Sequence, residues 1–324
     1  MTDILRFDNF RLDLQNDEGR RFNLLDDISF SIPDGKALGI VGESGCGKSI
    51  TSLAVMRLLP PAAKVASGSI YLKGMNVLEK TEPEMHEIRG KDAAMIFQDP
   101  LTCLNPVLTV GFQIGEAIKR HNPRISPAET RERTVALLKK VGIPNPEKRV
   151  KNYPHQFSGG MRQRTMIAMA IACSPGLLIA DEATTALDVT IQAQVLDLMM
   201  RLKEDGSFMF ITHNLGIVAE VCDEVAVMYA GQIVEAGTVE EVFLHPAHPY
   251  TKGLLSALPT LSSTGKKLYN IPGVVPSVQN FTPGCRYAPR CGYASEACGV
   301  TKPSRCVLND SHHVACYLYQ EVQE

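Results

Sequence analysis

The chain has 324 residues, of which 44% are hydrophobic and 21% charged, and its formal net charge is −2. Its length is enough for one large or two modest domains, the near-zero charge argues against nucleic-acid binding, and no apolar run approaches the length of a membrane span. The first residues have no basic segment followed by an apolar core, so no secretory signal is predicted and we expect the chain to stay in the cytoplasm.

Two strands are predicted at the start of the chain. Residues 5–14 alternate in hydropathy, and residues 22–32 form a second strand region that ends in a Pro-Asp-Gly turn at residues 33–35. Phe22 lies upstream of the next motif, within reach of a nucleotide if the chain folds back. From its position alone, stacking on adenine and packing in the strand core are equally good interpretations of this ring.

Residues 42–49, GESGCGKS, match the phosphate-binding pattern G-x-x-x-x-G-K-[ST] between a predicted strand at 38–41 and a predicted helix at 50–59. The glycines allow a tight turn whose N–H groups point inward, and the helix adds its positive N-terminal end. Lys48 would reach the β- and γ-phosphates, and Ser49 would hold Mg2+. Eight matched positions in this context argue against a chance glycine-rich turn. The predicted nucleotide-binding residues here are Gly42, Glu43, Ser44, Gly45, Cys46, Gly47, Lys48, Ser49 and Ile50.

Further elements are predicted between this motif and residue 160. Residues 69–72 form a strand, and a buried strand at 93–97 ends at Gln98, at the sheet edge where α/β proteins place ligands. Residues 110–141 have a helical pattern, with Ser126 as an N-cap near Pro127. This region is predicted to be a helical insertion.

Two further motifs with polar residues lie where predicted elements begin or end. Ser158, Gly159 and Gly160 precede a helix at 162–172 and could bind an anion there, although the same residues also make common caps and turns. The apolar strand 177–182 ends in two carboxylates.

Asp181 suits an Mg2+ shell, and Glu182 could position or deprotonate a water. A charged strand terminus entering solvent is the alternative, and the phosphate-binding motif favours the functional interpretation. Residues 208–212 form another buried strand that ends at His213. A lone histidine is usually structural, but its place at the same strand edge as Gln98 and Glu182 predicts a contact with a γ-phosphate. Residues 225–236 indicate a β-hairpin.

Taken in this order, the motifs resemble the ATPase subunit of an ABC transporter. They correspond to the Walker A motif (42–49), the Q-loop glutamine (Gln98), the signature motif (157–161), Walker B with its catalytic glutamate (177–182), the D-loop (185–188) and the switch histidine (His213). The resemblance assigns Phe22 to adenine stacking. Ala183 departs from the proline usual after the Walker B glutamate, so we expect a small change in that loop.

The resemblance implies an α/β fold with a P-loop ATPase core, an antiparallel β subdomain, a helical subdomain at about 99–160 and a small cysteine-rich C-terminal extension. The ATPase domain would cover residues 1–243 and the extension 244–324. The implied catalytic residues are Glu182, His213 and Gln98. The implied Mg2+ site consists of Ser49, Gln98 and Asp181, and Asp188 joins the ATP-binding residues.

A narrower resemblance, to the importers of dipeptides and oligopeptides (and of nickel), covers residues 97–106 and 248–255 and the late cysteines. It implies that ATP hydrolysis by this chain drives import of short peptides, with nickel or glutathione import left open. A soluble ABC-type ATPase of DNA repair or translation is the alternative. The chain has neither the sustained heptads nor the second cassette typical of those proteins.

Nine cysteines are present, and five of them crowd the end of the chain: Cys285, Cys291, Cys298, Cys306 and Cys316. In a reducing cytosol such a group favours metal binding over disulfides, although the C-x2-C pairs typical of zinc modules are absent. In the resembling family this tail binds a [4Fe–4S] cluster. That resemblance points to Cys285, Cys291, Cys298 and Cys316 as ligands, with Cys306 in reserve. Zinc is the alternative: His312 and His313 could be zinc ligands, although exposed histidines are the plainer expectation.

The resemblance also implies partners. ATP on one subunit would be capped by Ser158, Gly159 and Gly160 of a second ATPase subunit, more often a paralogue than a second copy. Two membrane permease subunits, and through them an extracytoplasmic peptide-binding protein, complete the expected assembly. The chain would therefore lie at the cytoplasmic face of the membrane as a peripheral subunit.

Overall fold

The computed structural model describes residues 2–183, 188–204, 206–258 and 269–320. Its strands are β1 (Asp3–Gln15), β2 (Arg21–Pro33), β3 (Ala37–Val41), β4 (Ala63–Leu72), β5 (Met75–Asn76), β6 (Ala93–Ile96), β7 (Leu177–Asp181), β8 (Ser207–Thr212), β9 (Glu224–Tyr229), β10 (Gln232–Thr238), β11 (Cys306–Val307) and β12 (His313–Val314). Its helices are α1 (Lys48–Val55), α2 (Glu82–Ile88), α3 (Pro100–Cys103), α4 (Val110–His121), α5 (Pro127–Lys140), α6 (Pro146–Arg149), α7 (Gly159–Ala170), α8 (Val189–Lys203), α9 (Leu215–Val221), α10 (Val239–Leu244), α11 (Pro249–Ser256) and α12 (Glu296–Val300).

The larger sheet has the strand order β11-β12-β10-β9-β3-β8-β7-β6. Strand β3 runs parallel to β8 and β9, and β7 runs parallel to β6 and β8. The C-terminal ends of β3, β7 and β8 therefore meet at one edge of the sheet, which is where parallel sheets place their ligands. The P-loop and His213 directly follow β3 and β8, and the two carboxylates lie at the end of β7.

The smaller sheet is antiparallel, with the order β2-β1-β4-β5. Phe7 on β1 stacks on Phe30 of β2, with ring centroids 4.6 Å apart, within an apolar core that also receives α1. Strand β4 begins at Ala63, six residues before the predicted start, because pairing with β1 continues as far as Leu14 through register shifts. The predicted antiparallel β subdomain is thereby confirmed.

The helical pattern at 110–141 resolves into two helices, α4 and α5, which pack with α7 over a second apolar core. Thr109 caps α4 by accepting the Phe112 N–H, and Ser126 caps α5 by accepting the Glu129 N–H. The prediction of Ser126 as an N-cap is confirmed. Residues 122–126 separate the two helices.

The C-terminal extension shares the larger sheet with the rest of the chain. Strand β12 pairs with β10 through Glu235 opposite Val314, and β11 adds the outermost strand. A third apolar core joins Tyr250 and Tyr287 of the extension to Tyr229 of β9. Among the described residues, no helix combines the length and the apolar character needed to cross a membrane.

Candidate functional site

The P-loop wraps around the side chain of its own lysine. Lys48 is the first residue of α1, and its Nζ donates to the carbonyl oxygens of Gly42 and Glu43 at 2.8 and 3.0 Å. Gly47 has φ 101°, a left-handed conformation that glycine adopts without strain. A Cβ on Gly42 would lie 2.1 Å from the Met228 carbonyl oxygen, so this position has no room for a side chain. The loop thus keeps a buried ammonium at the N-terminus of a helix, where phosphate groups bind.

Ser49 and Asp181 bring two oxygen atoms together beside this loop. The Ser49 Oγ donates to the Asp181 Oδ1 at 3.0 Å. Burial raises the pKa of Asp181 to about 6, the neighbouring Glu182 adds to that rise, and the Ser49 hydrogen bond opposes it. A buried carboxylate beside a hydroxyl fits Mg2+, which binds few protein oxygens and takes its remaining ligands from water and phosphate.

The three predicted catalytic side chains lie together, with Glu182 between the other two. Its Oε2 accepts from Gln98 Nε2 at 2.9 Å, and its Oε1 lies 3.4 Å from His213 Nδ1. The backbone of Glu182 has φ 47°, an unusual conformation for a residue other than glycine. Such strain concentrates at functional sites because the surrounding structure has to hold it.

The predicted signature motif presents an open helix N-terminus. The Ser158 Oγ accepts the Met161 N–H at 3.3 Å and caps α7, while Ser158 and Gly159 remain exposed. Gly160 packs against α8, where a Cβ would lie 2.6 Å from Ile191. The N-terminus of α7 is therefore accessible from solvent.

Two further predictions concern residues beside the motifs. Asp188 caps α8 by accepting the Ile191 N–H at 3.0 Å, while the rest of the predicted D-loop, residues 185–187, lies outside the described residues. Phe22 is half-buried on β2 opposite Leu14. Its adenine-stacking role stays a prediction, as does the nucleotide-binding role of Asp188.

Four late cysteines line one cavity of about 240 Å3: Cys285, Cys291, Cys298 and Cys316. Cys306 does not line this cavity; it lies on β11 with its Sγ 3.8 Å from the Ser304 carbonyl oxygen. Within the described ranges, no group of three or more His, Cys, Asp or Glu side chains is arranged to hold a metal ion. The predictions of an iron–sulfur cluster and of zinc are therefore not confirmed by this geometry.

The expectation that His312 is exposed was wrong. His312 is buried, and its Nε2 donates to the Glu235 carboxylate at 2.7 Å. The same carboxylate accepts the N–H groups of Ala247 and His248, at 2.7 and 2.8 Å. His312 is thus part of a buried hydrogen-bond network that holds the extension on β10.

Sequence reasoning missed two contacts between the extension and the P-loop. Arg290 forms a bidentate ion pair with Glu43, and the Tyr250 hydroxyl accepts the Glu43 N–H at 2.8 Å. Arg290 and Glu43 are 247 residues apart in the sequence, and no local pattern connects positions at that distance.

Comparison with known families gives two matches, in different parts of the chain. Residues 25–185 match the family described as ABC transporter. Residues 234–298 match the family described as Oligopeptide/dipeptide transporter, C-terminal region. The first range contains the P-loop and both carboxylates, and the second contains Tyr250, Arg290 and three of the cavity cysteines.

Relatives with curated names match most of the chain. The dipeptide transport ATP-binding protein DppD of Bacillus subtilis (strain 168) is 51% identical over 300 residues, which cover 92% of this chain and 89% of that protein. The oligopeptide transport ATP-binding protein OppD of the same organism is 52% identical over 295 residues, which cover 90% of this chain and 82% of that protein.

Solved structures share the fold. A dimeric ATP-binding cassette in a post-hydrolysis state, bound to ADP and Pi, superposes with a TM-score of 0.65 at 24% identity, over 72% of this chain and 98% of that chain. The cbiO1 protein of Clostridium perfringens, described as part of the ABC transporter complex cbiONQ, has a TM-score of 0.64 at 26% identity, over 76% and 92% of the two chains.

Proposed function

The chain belongs to the ATP-binding subunits of ABC transporters, and from this premise we propose that it hydrolyses ATP to power import of short peptides. One observation carries the ATPase assignment: the P-loop lysine, the Ser49–Asp181 pair and the Gln98–Glu182–His213 group all lie at one edge of the parallel sheet. The names of the relatives and the match of the C-terminal region support peptides as the transported substrate.

In this proposal each side chain has one task. Lys48 and the loop N–H groups bind the β- and γ-phosphates of ATP, and Ser49 with Asp181 and Gln98 holds Mg2+. The metal ion, when bound, neutralises the charge that develops on the phosphate oxygens. Glu182 orients and deprotonates the attacking water, and His213 contacts the γ-phosphate.

The ATPase proposal is tested by measuring ATP binding and phosphate release for the purified full-length chain. Lys48→Ala is expected to lose ATP binding because the ammonium is the buried cation of the loop. Tight ATP binding by that variant would contradict the assignment of the P-loop as the nucleotide site.

We also propose the assembly in which the chain works. The exposed N-terminus of α7 would cap ATP bound to a second ATPase subunit, a paralogue more often than a second copy. The helical part between Gln98 and Phe157 would contact two permease subunits, so that the chain lies on the cytoplasmic face of the membrane and an extracytoplasmic peptide-binding protein delivers the substrate. The exposure of Ser158 and Gly159 supports this arrangement.

Affinity purification of the chain from detergent-solubilised membranes, with mass spectrometry of the bound proteins, tests the assembly. Two permease subunits and a second ATPase are expected, and the associated binding protein would distinguish peptides from nickel or glutathione. Recovery from the soluble fraction alone, without any membrane protein, would refute the transporter assembly.

For the extension we propose a [4Fe–4S] cluster held by Cys285, Cys291, Cys298 and Cys316, because such a cluster is bound by four cysteine thiolates. Their shared cavity supports this set, since Cys306 lies outside it. The Tyr293 N–H and the Ser295 N–H donate to the sulfur atoms of Cys291 and Cys298, at 3.4 and 3.5 Å. Hydrogen bonds of this kind tune thiolate ligands of iron–sulfur clusters.

Anaerobic purification followed by iron and sulfide analysis tests the cluster. About four iron atoms and four sulfides per chain are expected, with a brown colour. A colourless protein with about one zinc per chain would replace the cluster by the zinc alternative.

A further inference from the structure

Glu43, the second residue of the P-loop, is held by two side chains of the C-terminal extension. Arg290 Nη1 and Nη2 donate to the two carboxylate oxygens of Glu43, at 2.6 and 3.1 Å. The Glu43 N–H donates to the Tyr250 hydroxyl at 2.8 Å. Both the side chain and the backbone of one P-loop residue are therefore fixed from outside the ATPase motifs.

This ion pair has the geometry of a strong contact. The Arg290 side chain is 6% exposed and that of Glu43 is 28% exposed, so water screens the pair weakly. Paired N–H donors from one guanidinium match the two oxygens of a carboxylate and fix their orientation. Burial alone would lower the pKa of Arg290, but the hydrogen bonds with Glu43 and Tyr229 raise it above its ordinary value.

Glu43 in turn connects to the phosphate-binding lysine. The Glu43 carbonyl oxygen accepts from Lys48 Nζ at 3.0 Å and from the Cys46 N–H at 3.4 Å. The Glu43 N–H, which Tyr250 binds, belongs to the peptide group of the Gly42 carbonyl oxygen, and that oxygen also accepts from Lys48 Nζ. A change in the backbone orientation at Glu43 would therefore move acceptors of the Lys48 ammonium. The position of the ammonium depends on contacts that Arg290 and Tyr250 hold in place.

Arg290 and Tyr250 are themselves fixed by the packing of the extension. Arg290 Nε donates to the Pro272 carbonyl oxygen at 2.7 Å. Tyr250 packs against Tyr229 and Tyr287, with ring centroids 4.7 and 5.3 Å away, and burial raises its pKa above the ordinary value, so its hydroxyl stays protonated. These contacts give both residues a defined orientation toward the loop.

We propose that Arg290 and Tyr250 are positioning residues of the ATP site, which hold Glu43 so that the P-loop is pre-formed for phosphate binding. The C-terminal extension then completes the nucleotide site. The inference rests on the proposed ATPase function and does not depend on whether the cysteines hold a cluster.

The test measures the ATP Kd of the full-length chain by titration calorimetry and its KM and kcat for ATP. Arg290→Ala is expected to raise Kd and KM about tenfold, a typical size for coupling between sites, and to change kcat by less than about twofold. Arg290→Lys keeps the charge but loses the paired geometry, so its Kd should lie between those of wild type and Arg290→Ala. Tyr250→Phe, which removes only the acceptor for the Glu43 N–H, should raise Kd about fivefold.

Three further variants separate positioning from general stability. Lys302→Ala removes two other ion pairs between the extension and the rest of the chain, with Asp26 at 3.2 Å and Asp27 at 3.3 Å. Neither ion pair touches the P-loop. Its Kd should equal that of wild type. Glu43→Gln alone should weaken ATP binding, and Glu43→Gln combined with Arg290→Ala should bind ATP about as weakly as Arg290→Ala alone.

The proposal is overturned if Arg290→Ala binds ATP as tightly as wild type, if Lys302→Ala weakens binding to the same extent, or if the effects of the two changes in the double variant multiply. Should Arg290→Ala fail to fold, Glu43→Gln and Tyr250→Phe still decide the question, because each nearly keeps the volume of the side chain that it replaces. A wild-type chain that binds ATP no better than Lys48→Ala would instead refute the proposed function.

Discussion

Replacing Glu235 by alanine should strongly destabilise the attachment of the extension to the sheet. The Glu235 side chain is fully buried and accepts three hydrogen bonds, from the Ala247 N–H, the His248 N–H and His312 Nε2, at 2.7, 2.8 and 2.7 Å. A buried donor that loses its acceptor costs about 1–3 kcal/mol. Water entering the space left by the side chain would restore part of this loss. We therefore expect Glu235→Ala to lower the free energy of unfolding by about 4 kcal/mol, within the range for breaking a buried charged network.

Urea-induced unfolding followed by far-ultraviolet circular dichroism measures this loss, since the chain has no tryptophan to serve as a fluorescence probe. Glu240→Ala is a matched control, because Glu240 is an exposed glutamate on the neighbouring helix α10. Its effect should stay below about 1 kcal/mol. Glu235→Gln keeps the volume and one acceptor oxygen and should lose about half as much stability as Glu235→Ala.

A loss below about 1 kcal/mol for Glu235→Ala would refute the reasoning, because it would mean that the three donors find other partners at little cost. The same variant should also raise the ATP Kd. The Ala247 and His248 N–H groups precede Pro249, the first residue of α11, and Tyr250 on that helix reaches the P-loop. Unchanged ATP affinity in a clearly destabilised Glu235→Ala variant would separate these two effects.

Three further predictions concern the site and the extension. Glu182→Gln should reduce phosphate release at least about 100-fold while ATP binding persists, because the amide cannot accept a proton from water; turnover near the wild-type rate would remove Glu182 from its role. Cys285→Ser should lower the iron content of the anaerobically purified protein, whereas Cys306→Ser should leave it unchanged, and equal losses in both would contradict the ligand set. Gly42→Ala should abolish ATP binding in calorimetry, since its Cβ would lie 2.1 Å from the Met228 carbonyl oxygen, and retained binding would show that the loop can shift at little cost.

Sequence patterns predicted those parts of the site that are placed by the strand next to them in the sequence. Asp181 ends β7, His213 directly follows β8, and Ser49 lies at the start of the helix after β3. Parallel pairing of these three strands is sufficient to bring their side chains to one edge. The helix after the P-loop ends at Val55 rather than at residue 59, because Arg57 adopts a left-handed φ of 50° before the two prolines. Hydropathy periodicity carries no information about the backbone conformation of a single residue.

The contacts of the extension could not be predicted in the same way. His312 was expected at the surface, but pairing of β12 with β10 places it beside Glu235, 77 residues earlier. Arg290 lies in a segment with short, irregular elements, where no periodicity indicates which side chains are buried. The surroundings of both residues depend on contacts between segments that are far apart in the sequence. Such contacts cannot be inferred from the local patterns of a single sequence.

The extension holds the P-loop from two sides, which explains why the two regions form one structural unit. Arg286 donates to the Ala230 carbonyl oxygen in the turn between β9 and β10, and the neighbouring Gly231 N–H donates to the Cys46 carbonyl oxygen at 2.8 Å. Arg290 holds Glu43 directly at the other side of the loop. Removing the extension would leave a buried turn carbonyl and the Glu43 carboxylate without their cationic partners and would uncover the aromatic face of Tyr229. The boundary between the two matched families therefore does not mark a place where the chain can be divided without disturbing the nucleotide site.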